Sequence, residues 1–68
     1  MKQKVVITFG NPKTMEMSHQ TEAYGVDDVR LDEHGIFLTL IYESKGMTMT
    51  YPTSSIIGIL CEAEDETV

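Results

Sequence analysis

One stretch, Gly35 to Leu60, limits the fold more than any other part of the chain. It holds two runs rich in β-branched and aromatic residues, Ile36 to Tyr42 and Met47 to Tyr51, with the turn formers Lys45-Gly46 between them. That order reads as a β-hairpin. Pro52 has a fixed φ and no N–H to donate, so the ladder must stop near Tyr51. Ser54 and Ser55 can satisfy local backbone groups with their hydroxyls, which suits a 3-10 turn across Pro52 to Ser55. Ile56 to Leu60 then resumes as an apolar strand, in which Gly58 allows a bend or the close approach of another backbone.

The first half of the chain is also extended. Val5, Ile7 and Phe9 alternate with Lys4, Val6 and Thr8, the period of a half-buried strand. Gly10-Asn11-Pro12-Lys13 supplies turn formers in a row. A second alternation follows, with Met15, Met17, His19, Thr21 and Ala23 on the inward side and both glutamates of the run on the other. These two segments are expected to form an antiparallel hairpin. Gly25 breaks the pattern, and Val29-Arg30-Leu31 is expected as a brief strand that Asp32 to Gly35 turns back into Ile36, Gly35 taking the left-handed position. A short helix over Val26 to Leu31 is disfavoured by β-branched valines and adjacent aspartates. No window sustains a helical apolar period.

Two registers compete in the central hairpin. A two-residue Lys45-Gly46 loop pairs Tyr42 with Met49 and Leu40 with Tyr51, gathering Leu38, Leu40, Tyr42, Met47, Met49 and Tyr51 on one face. A three-residue Ser44-Lys45-Gly46 loop pairs Ile41 with Met49 and scatters that set. Lys45 at positive φ costs roughly 1 kcal/mol. Burying large side chains contributes about 1.5–3 kcal/mol each, so the two-residue loop is expected. Ile36 to Ile41 is apolar on both sides, which predicts a strand covered on both faces, by the rest of the domain or by another chain.

Tyr51 to Leu60 resembles the closing segment of SH3-like barrels, where a hairpin ends in a Pro-Ser 3-10 turn and a short last strand packs back across the sheet. The fold expected is therefore all-β: a small SH3-like, partly open barrel of five to six antiparallel strands, with a 3-10 turn near residues 52–55 as its only helical element. The chain departs from the family in lacking tryptophan and a cluster of aromatics, so proline-rich peptide recognition is not carried over. In size and style the chain also resembles small accessory proteins of bacteriophages and prophages.

Sixty-eight residues make one domain, taken as residues 1–61, with an acidic flexible tail at 62–68. A chain of this length hides only about 60% of the surface that its unfolded form exposes. A lone Cys61 excludes an internal disulfide and suits a reducing cytosol, so a partner subunit is the remaining common source of buried area. Val5-Val6-Ile7 is too short for a secretory or membrane-spanning segment, and a cytoplasmic protein is expected.

No constellation of residues carries recognisable chemistry. His19, His34 and Cys61 lack metal-ligand spacing, and no cofactor or metal is expected. Nucleophilic catalysis needs a base beside Cys61 or a serine, itself oriented by a third group, and no such arrangement is evident, so no enzyme is expected and the thiol is read as buried or half-buried. The carboxylates from Asp27 to Glu33 lack the calcium-loop pattern. Met15, Met17, Met47 and Met49 are read first as core filling, and second as a pliable protein-binding face. The candidate partner-binding residues are Met15, Met17, Asp27, Asp28, Asp32 and Glu33. The function expected is a protein-interaction or self-assembling module. A net charge of −6 leaves a second reading, an acidic mimic of nucleic acid that blocks a basic protein. Binding of RNA or DNA by a small barrel ranks last, because a basic groove with stacking aromatics is missing.

Overall fold

The structure is a computed structural model that describes residues 2–64. Six antiparallel strands form two three-stranded sheets: β1 (Gln3–Asn11), β2 (Glu16–Val26) and β6 (Ile56–Ala63) in the order β2-β1-β6, and β3 (Asp28–Leu31), β4 (Phe37–Tyr42) and β5 (Met47–Pro52) in the order β3-β4-β5. The all-β class expected from the sequence is found, without a closed barrel. Only Asp27 separates β2 from β3, so the chain passes from one sheet to the other as one bent strand.

The alternation of β1 decides which side is inward. Val5 and Ile7 are fully buried and Phe9 nearly so, facing Leu38, Leu40 and Tyr42 of β4 across the space between the sheets. Ala23 and Val26 complete this core, and Val29, Tyr51 and Ile56 pack against it. Phe9 joins the two sheets: its ring stacks on His19 at 4.7 Å and meets Tyr51 at 5.9 Å. β2 does not end at Gly25. The register slips between Gln3 and Val5, and Gly25 at φ 69° takes up the extra residue as a bulge, which turns Val26 inward although Ala23 was already inward.

The β1–β2 hairpin forms, but its turn lies further along than the sequence suggests. β1 continues through Gly10, where a side chain would strike the Glu16 carbonyl oxygen and the Ile57 methyl group. Asn11 and Thr14 then build the turn: the Asn11 side-chain oxygen accepts from Lys13 N–H at 2.9 Å, the Asn11 carbonyl accepts from Met15 N–H at 2.7 Å, and the Thr14 hydroxyl accepts from Glu16 N–H at 3.3 Å. Met15 is thereby held at φ 62° in the turn, not in an inward-facing strand. Met17 is exposed as well. The inward side expected of β2 is buried only towards its end, at Ala23.

The central hairpin has neither expected register. Tyr42 pairs with Met47, Leu40 with Met49 and Leu38 with Tyr51, and Glu43–Lys45 form a second 3-10 turn closed by Gly46 at φ 61°. Placing glycine rather than Lys45 in the left-handed position removes the strain that the tighter loop would impose. The shift from the expected pairing is two residues. Two residues is one full side-chain period, so Leu38, Leu40, Tyr42, Met47, Met49 and Tyr51 still share a face. The corner at Thr53–Ser55 is a 3-10 turn as expected, and Thr53 fastens it by donating its hydroxyl to the Gly35 carbonyl at 2.6 Å.

The strand β4 is covered on one side only. Leu38, Leu40 and Tyr42 are buried, whereas Phe37 is exposed and Thr39 and Ile41 are half-buried, because no second layer lies on that face. β6 reaches Ala63, so the domain boundary at residue 61 falls inside a strand, and Glu64 accepts Gly25 N–H at 2.8 Å. The remainder of the acidic tail, residues 65–68, lies outside the described residues.

Candidate interaction surface

Three of the four carboxylates singled out in the sequence are engaged by backbone N–H groups, two of them by a cationic side chain as well. Asp27 accepts Glu43 N–H at 2.7 Å and the Lys2 ammonium at 3.2 Å, tying the start of the chain to the end of β4. Burial works against its charge, but the Lys2 ammonium and the N–H groups of Glu43 and Ser44 outweigh it and hold the carboxyl below its usual range. Asp28 binds the Arg30 guanidinium and Val29 N–H, both at 2.9 Å, and these bonds depress its pKa. Asp32 accepts Ile36 N–H at 2.6 Å and Phe37 N–H at 3.1 Å, shaping the β3–β4 turn, and the Phe37 bond leads the depression of its pKa. Glu33 meets only the neighbouring His34, at 3.5 Å, and both are exposed. Asp27, Asp28 and Asp32 are thus parts of the scaffold. Asp27, Lys2, Gln3 and Ala63 line an open recess of about 330 Å³, where Lys2 and Asp27 pair with each other.

The methionines are not core. Met15 and Met17 are each 61% exposed at the far end of the β1–β2 hairpin, and Met47 and Met49 are about two-fifths exposed on β5. No strand pairing joins β2 to β5, so the Met-x-Met pairs sit on different sheets and do not make one face. Cys61, expected to be buried or half-buried, is exposed. It shares the inward side of Val5, its partner across the ladder, but β6 is a border strand and the second sheet does not reach over it.

Following the pairings from β6 through β1 and the bent β2–β3 strand to β4 and β5 leaves β5 and β6 as the two ends of the series, each with one side unpaired among the described residues. No strand pairing joins them, and the Thr53–Ser55 turn links them at one end. Met47 and Met49 stand on the inward side of β5, and Ile59 and Cys61 on the inward side of β6, all exposed, with Leu60 exposed on the outer side. No charged residue lies between Lys45 and Glu62, so at this seam β5 is uncharged along its length and β6 is uncharged from Ile56 to Cys61. The free borders of β2 and β3 differ: Glu16, Gln20, Glu22, Asp28 and Arg30 stud them with polar and charged side chains, the usual protection of a sheet edge. That charge-free run was the signal for the seam in the sequence.

Among the described residues no three His, Cys, Asp or Glu side chains gather as a metal site, and no helix is long and apolar enough to cross a membrane. No protein-family model matches the chain, and no curated protein or solved structure matches it significantly.

Proposed function

We propose that this protein is a non-enzymatic, cytoplasmic interaction module that assembles with itself through the unpaired seam between β5 and β6. One observation carries the proposal: two strand borders, free of charge from Met47 to Pro52 and from Ile56 to Cys61 and lined by exposed apolar side chains, each have one side that no strand pairs with among the described residues. Unpaired strand borders are templates for added strands, and small domains commonly gain the buried area they lack from a neighbouring subunit. Apolar patches of this kind on so small a chain are characteristic of contact surfaces. The exposed Cys61 thiol suits a reducing compartment. The strand order and the Thr53–Ser55 corner support the likeness to SH3-like barrels, again without their peptide groove.

The acidic-mimic reading has less support, because Asp27, Asp28 and Asp32 spend their charge on Lys2, Arg30 and backbone N–H groups. The two readings differ in their response to salt. Sedimentation velocity over a wide concentration range, at low and high salt, tests the proposal. Self-association that persists in high salt is expected, since apolar burial is not screened. A strict monomer under all conditions would overturn it.

A further inference from the structure

We infer that assembly is head-to-tail: the β5 border of one copy pairs, antiparallel, with the β6 border of a second copy. This rests on the proposed function and names its partner. Three features of the two borders select this arrangement. Their lengths are matched, six residues in β5 and eight in β6. Their side-chain periods agree, because Met47, Met49 and Tyr51 on β5 and Ile59 and Cys61 on β6 all face inward. A single antiparallel register therefore places Met49 opposite Ile59 and Met47 opposite Cys61, on one face. Their charges are complementary: Lys45 stands two residues before β5, in the 3-10 turn that leads into it, while Glu62 stands next to the last residue of β6. Antiparallel pairing brings those two ends together.

The alternatives forgo that complementarity. Two β5 borders paired to each other bring no carboxylate to Lys45, and two β6 borders bring no cation to Glu62. A parallel pairing of β5 with β6 sets Lys45 at the opposite end from Glu62. The β2 and β3 borders carry the charges that discourage added strands. A head-to-tail contact leaves one β5 border and one β6 border free at each step, so it propagates, closing into a ring or extending as a chain according to the rotation between copies.

Complementation tests the geometry. Met49→Lys disables the β5 border, and Ile59→Lys disables the β6 border, each at a side chain that is 42% exposed in the folded chain. Each variant alone is expected to sediment as a monomer with a near-native thermal midpoint. An equimolar mixture is expected to form a one-to-one dimer and nothing larger, since one good β5 border meets one good β6 border. If either lysine unfolds the chain, Thr48→Lys and Leu60→Lys, on the exposed outer side of the same strands, replace them. Loss of assembly in only one of the two variants would mean that identical borders pair, and would overturn the inference. So would assembly retained in both, or two monomeric variants that fail to combine. In each of these cases an associating wild type leaves the proposed function standing, whereas a monomeric wild type removes both.

Discussion

Residues 27–33 and residues 45–62 invite opposite mistakes, and comparing them shows what a very small domain does with its side chains. The first region is dense in carboxylates and looks like a site, yet Asp27, Asp28 and Asp32 are bound to nearby N–H groups and cations that hold the turns in place. The second is apolar and looks like core, yet Met47, Met49, Ile59, Leu60 and Cys61 are exposed. With few residues available to fill an interior, short acidic side chains serve as local struts, and apolar residues on border strands have nothing among the described residues to cover them. Charge marks scaffold and grease marks surface, the reverse of the usual assumption.

The contrast can be broken most directly by truncation. Leu40→Ala is expected to cost about 3 kcal/mol by urea denaturation, as for a fully buried leucine. Met49→Ala, its partner across the β4–β5 ladder, is expected to cost about 1 kcal/mol or less in the monomer. Equal losses would make Met49 core. Acid titration probes the other region. The depressed pKa values of Asp27, Asp28 and Asp32 mean that their stabilisation is fully present above the unfolded carboxylate value of about 3.9 and is lost as pH falls through their lower folded values. Denaturation midpoints should therefore stay level from neutral pH to about pH 5 and decline below about pH 4. A midpoint that rises on acidification would show these groups to be repelling one another instead of bonding. Substitution sharpens the point: Asp32→Ala should lower the thermal midpoint clearly, and Glu33→Ala, next in the chain but touching only His34, should leave it almost unchanged. The smallest effect is expected in the turn, where Met15→Gly should stabilise by about 0.5–1 kcal/mol by relieving the left-handed backbone.

Much of the fold could be read from residue order. Alternation in Lys4 to Phe9, the Pro52 stop, the serine-rich corner and the turn at Asp32 to Gly35 each rest on short-range chemistry, and each is found where expected. The central hairpin shows the limit of such reasoning. Side-chain period settles which residues share a face, but it repeats every two residues, so it cannot separate a two-residue loop from the observed four-residue one closed by Gly46. The bulge at Gly25 depends on pairing with β1, and the position of Met15 depends on bonds made by Asn11 and Thr14. Exposure on β5 and β6 was hidden for a different reason. An apolar alternation looks the same on a covered strand and on a border strand, and only the order of strands in the sheets tells them apart.

The single residue between β2 and β3 has a mechanical consequence. The two sheets are like the leaves of a book, with Asp27 at the spine: it grips Lys2 beside one leaf and Glu43 beside the other. β5 and β6 are the fore-edges, joined at one corner by the Thr53–Ser55 turn. Replacing Asp27 would release both grips at once, so the two leaves would lose their shared fastening at the spine.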